Sequence, residues 1–516
     1  MARLIPGVRE GFQVKSRVRK RLRNSKRRIQ HRLRKRQWPE QRRRLFPDRN
    51  VHYDVADKVR GGRFGGLGTC WLLVQRLGLA DALDADLHLL KRHLPYHESD
   101  HVLNLAYNIL AGGTCLQDLE LLRNDENYLN ALGAQRIPDP TTAGDFLRRF
   151  QAQDIVTLMR VINEKRLLVW QQQRPAFFDH AILEADGTMA GTTGACKQGM
   201  DLSYQGVWGY HPLLVSLANT QEPLFLLNRP ASRPSHEGAA SYLDEAAALC
   251  RRAGFRRITF RGDTDFSQTE HLDRWDGQGI RFVFGMDAMP NLVAQAQSLP
   301  ATAWQQLQRP AKYAVKTRPR QRPPAVKEGV VRHKGYKNIR LVSEHVAEFK
   351  YRPGACQKDY RVVVLRKDLV IEKGGQKIED QVRYFFYITN EQEWSAAAVV
   401  YFANDRCNQE NLIEQLKNGV RALRLPVNTL ASNWAYMVIG ALAWSLKAWL
   451  ALLQPQAEQR HTLLSMEFKQ FLQVWLVLPC QLVRSGRQFV FRLLQYNDWV
   501  PVLLRTVDLL RGLRLT

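Results

Sequence analysis

Between Ala181 and Phe284 the apolar residues follow the period of strands, interrupted by two helical stretches. That alternation restricts this part of the chain to a mixed sheet flanked by helices. Ala181 to Ala185 (AILEA) runs straight into Asp186-Gly187-Thr188. Leu213 to Ala218 and Pro223 to Leu227 follow, with turn residues at Asn219 to Glu222 between them. A helix is predicted over Glu237 to Ala253, and Arg257 to Arg261 (RITFR) is a fourth strand leading into Gly262-Asp263. A second helix, near Gln268 to Trp275, precedes a short strand at Arg281 to Phe284. Two strands therefore end in aspartates, Asp186 and Asp263. A lone aspartate after a strand is more often a turn former or a helix cap, so a further group is needed before the two imply chemistry.

The stretch Tyr401 to Val420, YFANDRCNQENLIEQLKNGV, supplies that group. Read as a single helix, it places Glu410 about 40° and Lys417 about 20° round from Arg406, so the three side chains form one stripe. A carboxylate between two cations suits a divalent ion that must also hold a phosphate, although a solvated face with i,i+4 ion pairs has the same pattern. Phosphoryl transfer by two metals needs several carboxylates converging on hard cations. Asp186, Asp263 and Glu410 together would provide them, with Asp265 and Glu414 as spare carboxylates.

The charge balance fits such a substrate. The chain has 76 Lys+Arg against 49 Asp+Glu, a formal charge of +27, which favours a polyanion, nucleic acid before an anionic membrane surface. From Lys15 to Arg44 there are 16 Lys or Arg and one acid, with Arg27 and Arg28 at the centre. This arm is expected to be unstructured, or helical only on a polyanion, with Trp38, Leu45 and Phe46 anchoring its end. RGGRFGGLG, Arg60 to Gly68, lacks the lysine and hydroxyl of a phosphate-binding loop and reads as a hinge. Leu67 to Trp170 has helical spacing. Within it DPTTAGDFLRRF would start a helix on a Thr141 or Thr142 cap and project Arg148 and Arg149 from the helix body, which suits a DNA-reading module or a plain spacer.

Residues 287–382 read as an inserted β-rich subdomain with a basic loop, TRPRQRPP, carrying Arg318 and Arg320. Trp304, Tyr313 and Tyr336 beside it suit either stacking on an unpaired base or packing. Trp434 to Leu452 is long enough to span a bilayer. A charge at a spanning helix's centre costs about 3 kcal/mol, so Lys447 favours a buried helix and no membrane. Seven cysteines without a CxxC pair support neither a disulfide framework nor a zinc site, and with no secretory signal at the amino terminus they point to a reducing cytoplasm. The resulting division is a basic arm (1–60), a helical DNA-binding region (61–174), a catalytic core in two parts (175–286 and 383–422) around the insertion (287–382), and a helical carboxy-terminal region (423–516).

With these residues in place, the chain resembles the DDE-type insertion-sequence transposases with a ribonuclease-H-like core, most closely the group of insertion sequence 1380. The resemblance runs from about Val102 to Leu452. It rests on GGTCLQDLELLRND, DPTTAGDFLRRF, LEADGT, GVWGYHPLLVSLANTQEPLFLLNRP, RGDTDF, and the R-x3-E-x6-K spacing of Arg406, Glu410 and Lys417. The chain departs from the wider signature at Ala403, where a tyrosine is usual, and at Thr264 and Asp265 after the second aspartate. The resemblance implies that Asp186, Asp263 and Glu410 hold two Mg2+ ions, for which Mn2+ can substitute, and that Arg406 and Lys417 hold phosphates. It further implies cleavage at terminal inverted repeats and joining of 3′-hydroxyls to target DNA. The partners it implies are double-stranded DNA at the bacterial nucleoid and a second copy of the chain in the synaptic complex. The alternatives are a metal-dependent nuclease of the same fold and an inactive DNA-binding derivative.

Overall fold

The computed structural model describes residues 16–33, 61–93, 95–309, 326–374, 376–485, 488–494 and 496–513. The first of these is a helix, α1 (Ser16–Leu33), the described part of the basic arm. Leu22 packs against the core, and Lys26 lies 3.8 Å from Asp498 and 5.8 Å from the Tyr496 ring centroid. Trp38, Leu45 and Phe46 fall outside the described residues.

The expected hinge is a packed joint. Gly61–Gly62 pairs antiparallel with Gln481 and Cys480, and the amides of Gly65 and Gly66 donate to Leu478 and Leu476 carbonyls. A Cβ on Gly66 would lie 1.7 Å from the Trp475 carbonyl oxygen, so only glycine permits this approach. The helix α2 (Leu67–Leu77) follows, the first of a set that buries its apolar stripes against the rest of the molecule. In α3 (Pro140–Leu147) the cap is Asp139, not Thr141 or Thr142. Its carboxylate accepts from both of their amides, and Pro140 takes the first helical position, where no amide is needed. α4 (Ala152–Trp170) completes this layer.

The sheet has the predicted strands: β1 (His180–Gly187), β2 (Leu213–Leu217), β3 (Glu222–Leu227), β4 (Arg257–Gly262) and β5 (Arg281–Met286), with α5 (Ala239–Ala253) crossing between β3 and β4. β1, β2 and β3 pair antiparallel, whereas β4 lies parallel to β1 and β5 parallel to β4. The strands of the insertion, β6 (Lys337–Tyr351), β7 (Tyr360–Lys373) and β8 (Gln376–Thr389), do not form a separate body. β8 pairs antiparallel with β5, Phe386 opposite Met286, which gives one mixed sheet in the order β6-β7-β8-β5-β4-β1-β2-β3 with a two-residue edge strand, Gln305–Gln306, beyond β6. The expected boundary at residue 382 thus falls inside a continuous strand.

Two helices, α6 (Ala396–Asn404) and α7 (Cys407–Glu414), follow β8, and then α8 (Leu430–Leu452) runs through the middle of the molecule. Of the described helices, α8 alone is long and apolar enough to cross a membrane, and it is buried along its length. Its Lys447 and Ser445 are paired. Lys447 Nζ donates to the Leu464 carbonyl at 3.0 Å, and Ser445 Oγ accepts from Arg166 at 3.1 Å. Arg166 in turn meets Glu222, on which Trp170 and Trp449 also converge at 2.9 and 2.8 Å. One buried carboxylate therefore ties α4, β3 and α8 together. The chain closes with α9 (Val500–Gly512).

Candidate active site

The parallel register of β1 and β4 brings the two aspartates together. Glu184 is opposite Arg261 in that ladder, and side chains two residues on project from the same face, so Asp186 comes beside Asp263. The same alternation aligns a buried ion pair behind them. Arg261 and Glu184, each 1% exposed, meet at 2.6 Å. Arg261 Nη1 also donates to the Phe402 carbonyl at 2.9 Å near the end of α6, and its guanidinium lies 4.7 Å from the Phe402 ring centroid. Neither Glu184 nor Arg261 is among the expected site residues, yet the signal is present: each stands two residues before an aspartate.

Tyr401 to Val420 is not one helix. α6 stops at Asn404, α7 starts at Cys407, and Gln415–Gly419 widens into a π-helical turn. The three-residue stripe is therefore not carried by a continuous helix. Arg406 sits at the break, where Nη2 lies 3.5 Å from Asp186 Oδ2 and 3.3 Å from Asp263 Oδ2. Asp263 also caps the turn that follows it, accepting from the Asp265 amide at 3.1 Å. Gly285 on β5 makes room for that turn, because a Cβ there would lie 3.0 Å from the Thr264 amide nitrogen.

The electrostatics match this packing. Burial pushes the Asp186 carboxyl up to about 7, with Arg406 pulling it back and the Asp263 charge adding to the rise. Burial also raises the Asp263 carboxyl, opposed by Arg406. Lys417 is half-buried and lowered by that burial, with the Glu414 and Asp186 charges acting in the opposite sense. Glu410 is exposed and close enough for its charge to act on Asp186. Among the described residues no three His, Cys, Asp or Glu side chains form a group able to hold a metal ion. Two hard oxygen donors converging on one positive nitrogen nevertheless form the kind of position that a divalent cation fits, and here the Arg406 guanidinium stands in for that charge.

The other expected site residues lie elsewhere. Arg148 and Arg149 follow the last residue of α3 instead of projecting from its body. Arg148 pairs with Asp145 at 2.6 Å and Asn428 at 3.1 Å, and Arg149 reaches the Leu89 carbonyl. Arg27 and Arg28 are exposed on α1. Trp304 packs against the core, 6.3 Å from the Tyr384 ring and 5.9 Å from the Arg366 guanidinium. Tyr336 is exposed, while Arg318, Arg320 and Tyr313 lie outside the described residues.

Comparison with known proteins adds the family. No curated protein matches the chain. Among solved structures, a cryo-EM structure of a piggyBac transposase synaptic complex with hairpin DNA is similar at 10% identity, covering 80% of this chain and 84% of that one with a TM-score of 0.34. A family model described as transposase DDE domain group 1 matches residues 56–515. The paired aspartates thus lie inside a match spanning nearly the whole chain, and the chain belongs to the family of transposases with a DDE domain, group 1.

Proposed function

We propose that this transposase binds the terminal inverted repeats of its own element, cuts the DNA at each end and joins the freed 3′-hydroxyls to a target. The reading is carried by one observation: Asp186 and Asp263 stand side by side at the ends of parallel strands with a single cation bridging them. The order β5-β4-β1-β2-β3, with two parallel and two antiparallel pairings, supports a ribonuclease-H-like core, and R-x3-E-x6-K supports the group of insertion sequence 1380. The formal charge of +27 supports double-stranded DNA as partner at the nucleoid, and bringing two ends together calls for a second copy of the chain.

Asp186, Asp263 and Glu410 would hold two Mg2+ or Mn2+ ions. Such ions activate an attacking water or hydroxyl and neutralise charge on the leaving oxygen. The chain's own residues do the rest. Arg406 leaves the aspartates for a phosphate oxygen, Lys417 holds a second one, and the Arg261–Glu184 pair fixes the break between α6 and α7 that aims Arg406.

Incubating the protein with Mg2+, a labelled duplex of the repeat flanking its gene and a target plasmid should yield both cut ends and joined products. Cutting without joining would leave a nuclease, and binding without cutting in either metal would leave an inactive derivative. Glu410→Gln should abolish cleavage while retaining end binding.

A further inference from the structure

Between β1 and β2 the chain makes a small three-stranded excursion, Ala190–Gly191, Asp201–Leu202 and Trp208–Tyr210. It leaves the main sheet at the end that carries Asp186, because Gly187 and Leu213 are paired at its base. Lys197 Nζ ties it to the segment after the π-helical turn, donating to the Leu425 and Val427 carbonyls, and the Gln198 amide donates to Asn428. Where excursion and segment face each other they enclose an open cavity of about 600 Å³, within the range of pockets that take a small organic ligand.

The lining combines apolar and polar side chains. Trp208, 42% exposed, lines the cavity, and Leu202, paired with it in the excursion and 54% exposed, adds apolar surface beside it. Thr114, Thr192 and Gln117 line it too; the Thr114 hydroxyl donates to Asp118 at 3.1 Å and the Thr192 hydroxyl accepts from the Gly194 amide at 3.2 Å. Tyr436, on α8, is 2% exposed and lines the floor, and among the described residues its hydroxyl makes no hydrogen bond. Arg424 stands at the wall without an ion-pair partner among the described residues, two positions after Ala422 and three after Arg421, whose φ of 54° is unusual for a residue with a side chain. An aromatic residue, the side-chain amide of Gln117, which can both donate and accept, and a guanidinium at the wall together suit a base with its phosphate. The recess opens between two segments and is too confined for a duplex.

We propose that this cavity binds one unpaired nucleotide of DNA, its base stacked on Trp208 and its phosphate held by Arg424. The inference rests on the DNA-binding reading above and assigns that reading a second contact, beside the carboxylates and separate from them. Stacking tolerates any base, so a duplex of arbitrary sequence serves as probe.

The test compares fluorescence anisotropy of a fully paired duplex with that of the same duplex bearing a short unpaired 3′ tail. The wild-type protein should bind the tailed form about 10-fold more tightly, in line with one stacked base. Trp208→Ala and Arg424→Gln should lose that preference yet bind the paired duplex as the wild type does, and Trp208→Phe should keep most of it. A 2-aminopurine in the tail should be quenched by the wild type and not by Trp208→Ala. Equal binding of tailed and paired DNA by the wild type, or a preference that survives Trp208→Ala, would overturn the cavity's assignment while leaving DNA binding intact. Failure to bind either DNA, and equally a duplex of the repeat flanking the gene, would overturn the functional reading as well.

Discussion

A carboxyl that titrates near 7 in the folded chain and near 3.8 when unfolded makes folding pH-dependent in a defined direction. Between those two values the folded state holds more protons than the unfolded one, so the stability that Asp186 contributes at low pH is lost as pH rises through about 7. Without divalent metal, the melting temperature of the wild type should fall between about pH 5 and pH 8, and Asp186→Asn should flatten that fall. One pKa unit corresponds to about 1.4 kcal/mol, and with solvent still reaching the site the variant should be about 2 kcal/mol more stable at pH 8. Adding Mg2+ should raise the wild type's melting temperature and not the variant's. A variant that melts lower than the wild type at pH 8 would refute the strained-carboxylate account. Replacing Glu222 should destabilise the protein. This carboxylate is the counter-charge of Arg166, 1% exposed, and accepts from two tryptophans, so Glu222→Gln leaves a buried guanidinium unpaired. Urea unfolding should show a loss of about 3–5 kcal/mol.

At the scale of elements, α8 packs backbone-close against the segment after the π-helical turn. A Cβ on Gly440 would lie 2.6 Å from Ala422 Cβ and 2.7 Å from Ala422 Cα, and neither atom belongs to a flexible side chain. Gly440→Ala should therefore destabilise the protein by about 1–3 kcal/mol despite alanine's better helix propensity, as a denaturant midpoint would show. The elements also show what is legible in the sequence. The strands and their terminal aspartates can be read because alternation and turn residues are local signals. The break between α6 and α7 cannot, because Asn404-Asp405 is only a weak stop, and the contact that enforces it, Arg261 on the Phe402 carbonyl, comes from 141 residues away. The α3 cap falls on Asp139 instead of a threonine because three candidate cap residues, Asp139, Thr141 and Thr142, lie within one turn, and Pro140 decides among them.

Across the whole molecule, pairing between distant segments is the least legible feature. Nothing local to Phe386 announces that it meets Met286, so the insertion reads as a separate body when its strands widen the core sheet. Charge is legible because it adds up without regard to fold. Deleting 16–33, whose basic side chains include the exposed Arg27 and Arg28, should reduce the slope of log affinity for DNA against log salt by about 0.9 for each phosphate that the helix neutralises. An unchanged slope would show that α1 touches no phosphate. The joint at Gly61–Gly66 has a consequence for the gene as well as for the protein. The first helical layer is docked on Trp475 to Cys480, and Thr69 Oγ1 accepts from Trp475 Nε1 at 3.0 Å. A reading frame interrupted before residue 475 yields an amino-terminal fragment whose docking partner was never translated. Such a fragment should be digested faster than the intact chain, as limited proteolysis of the two side by side would show.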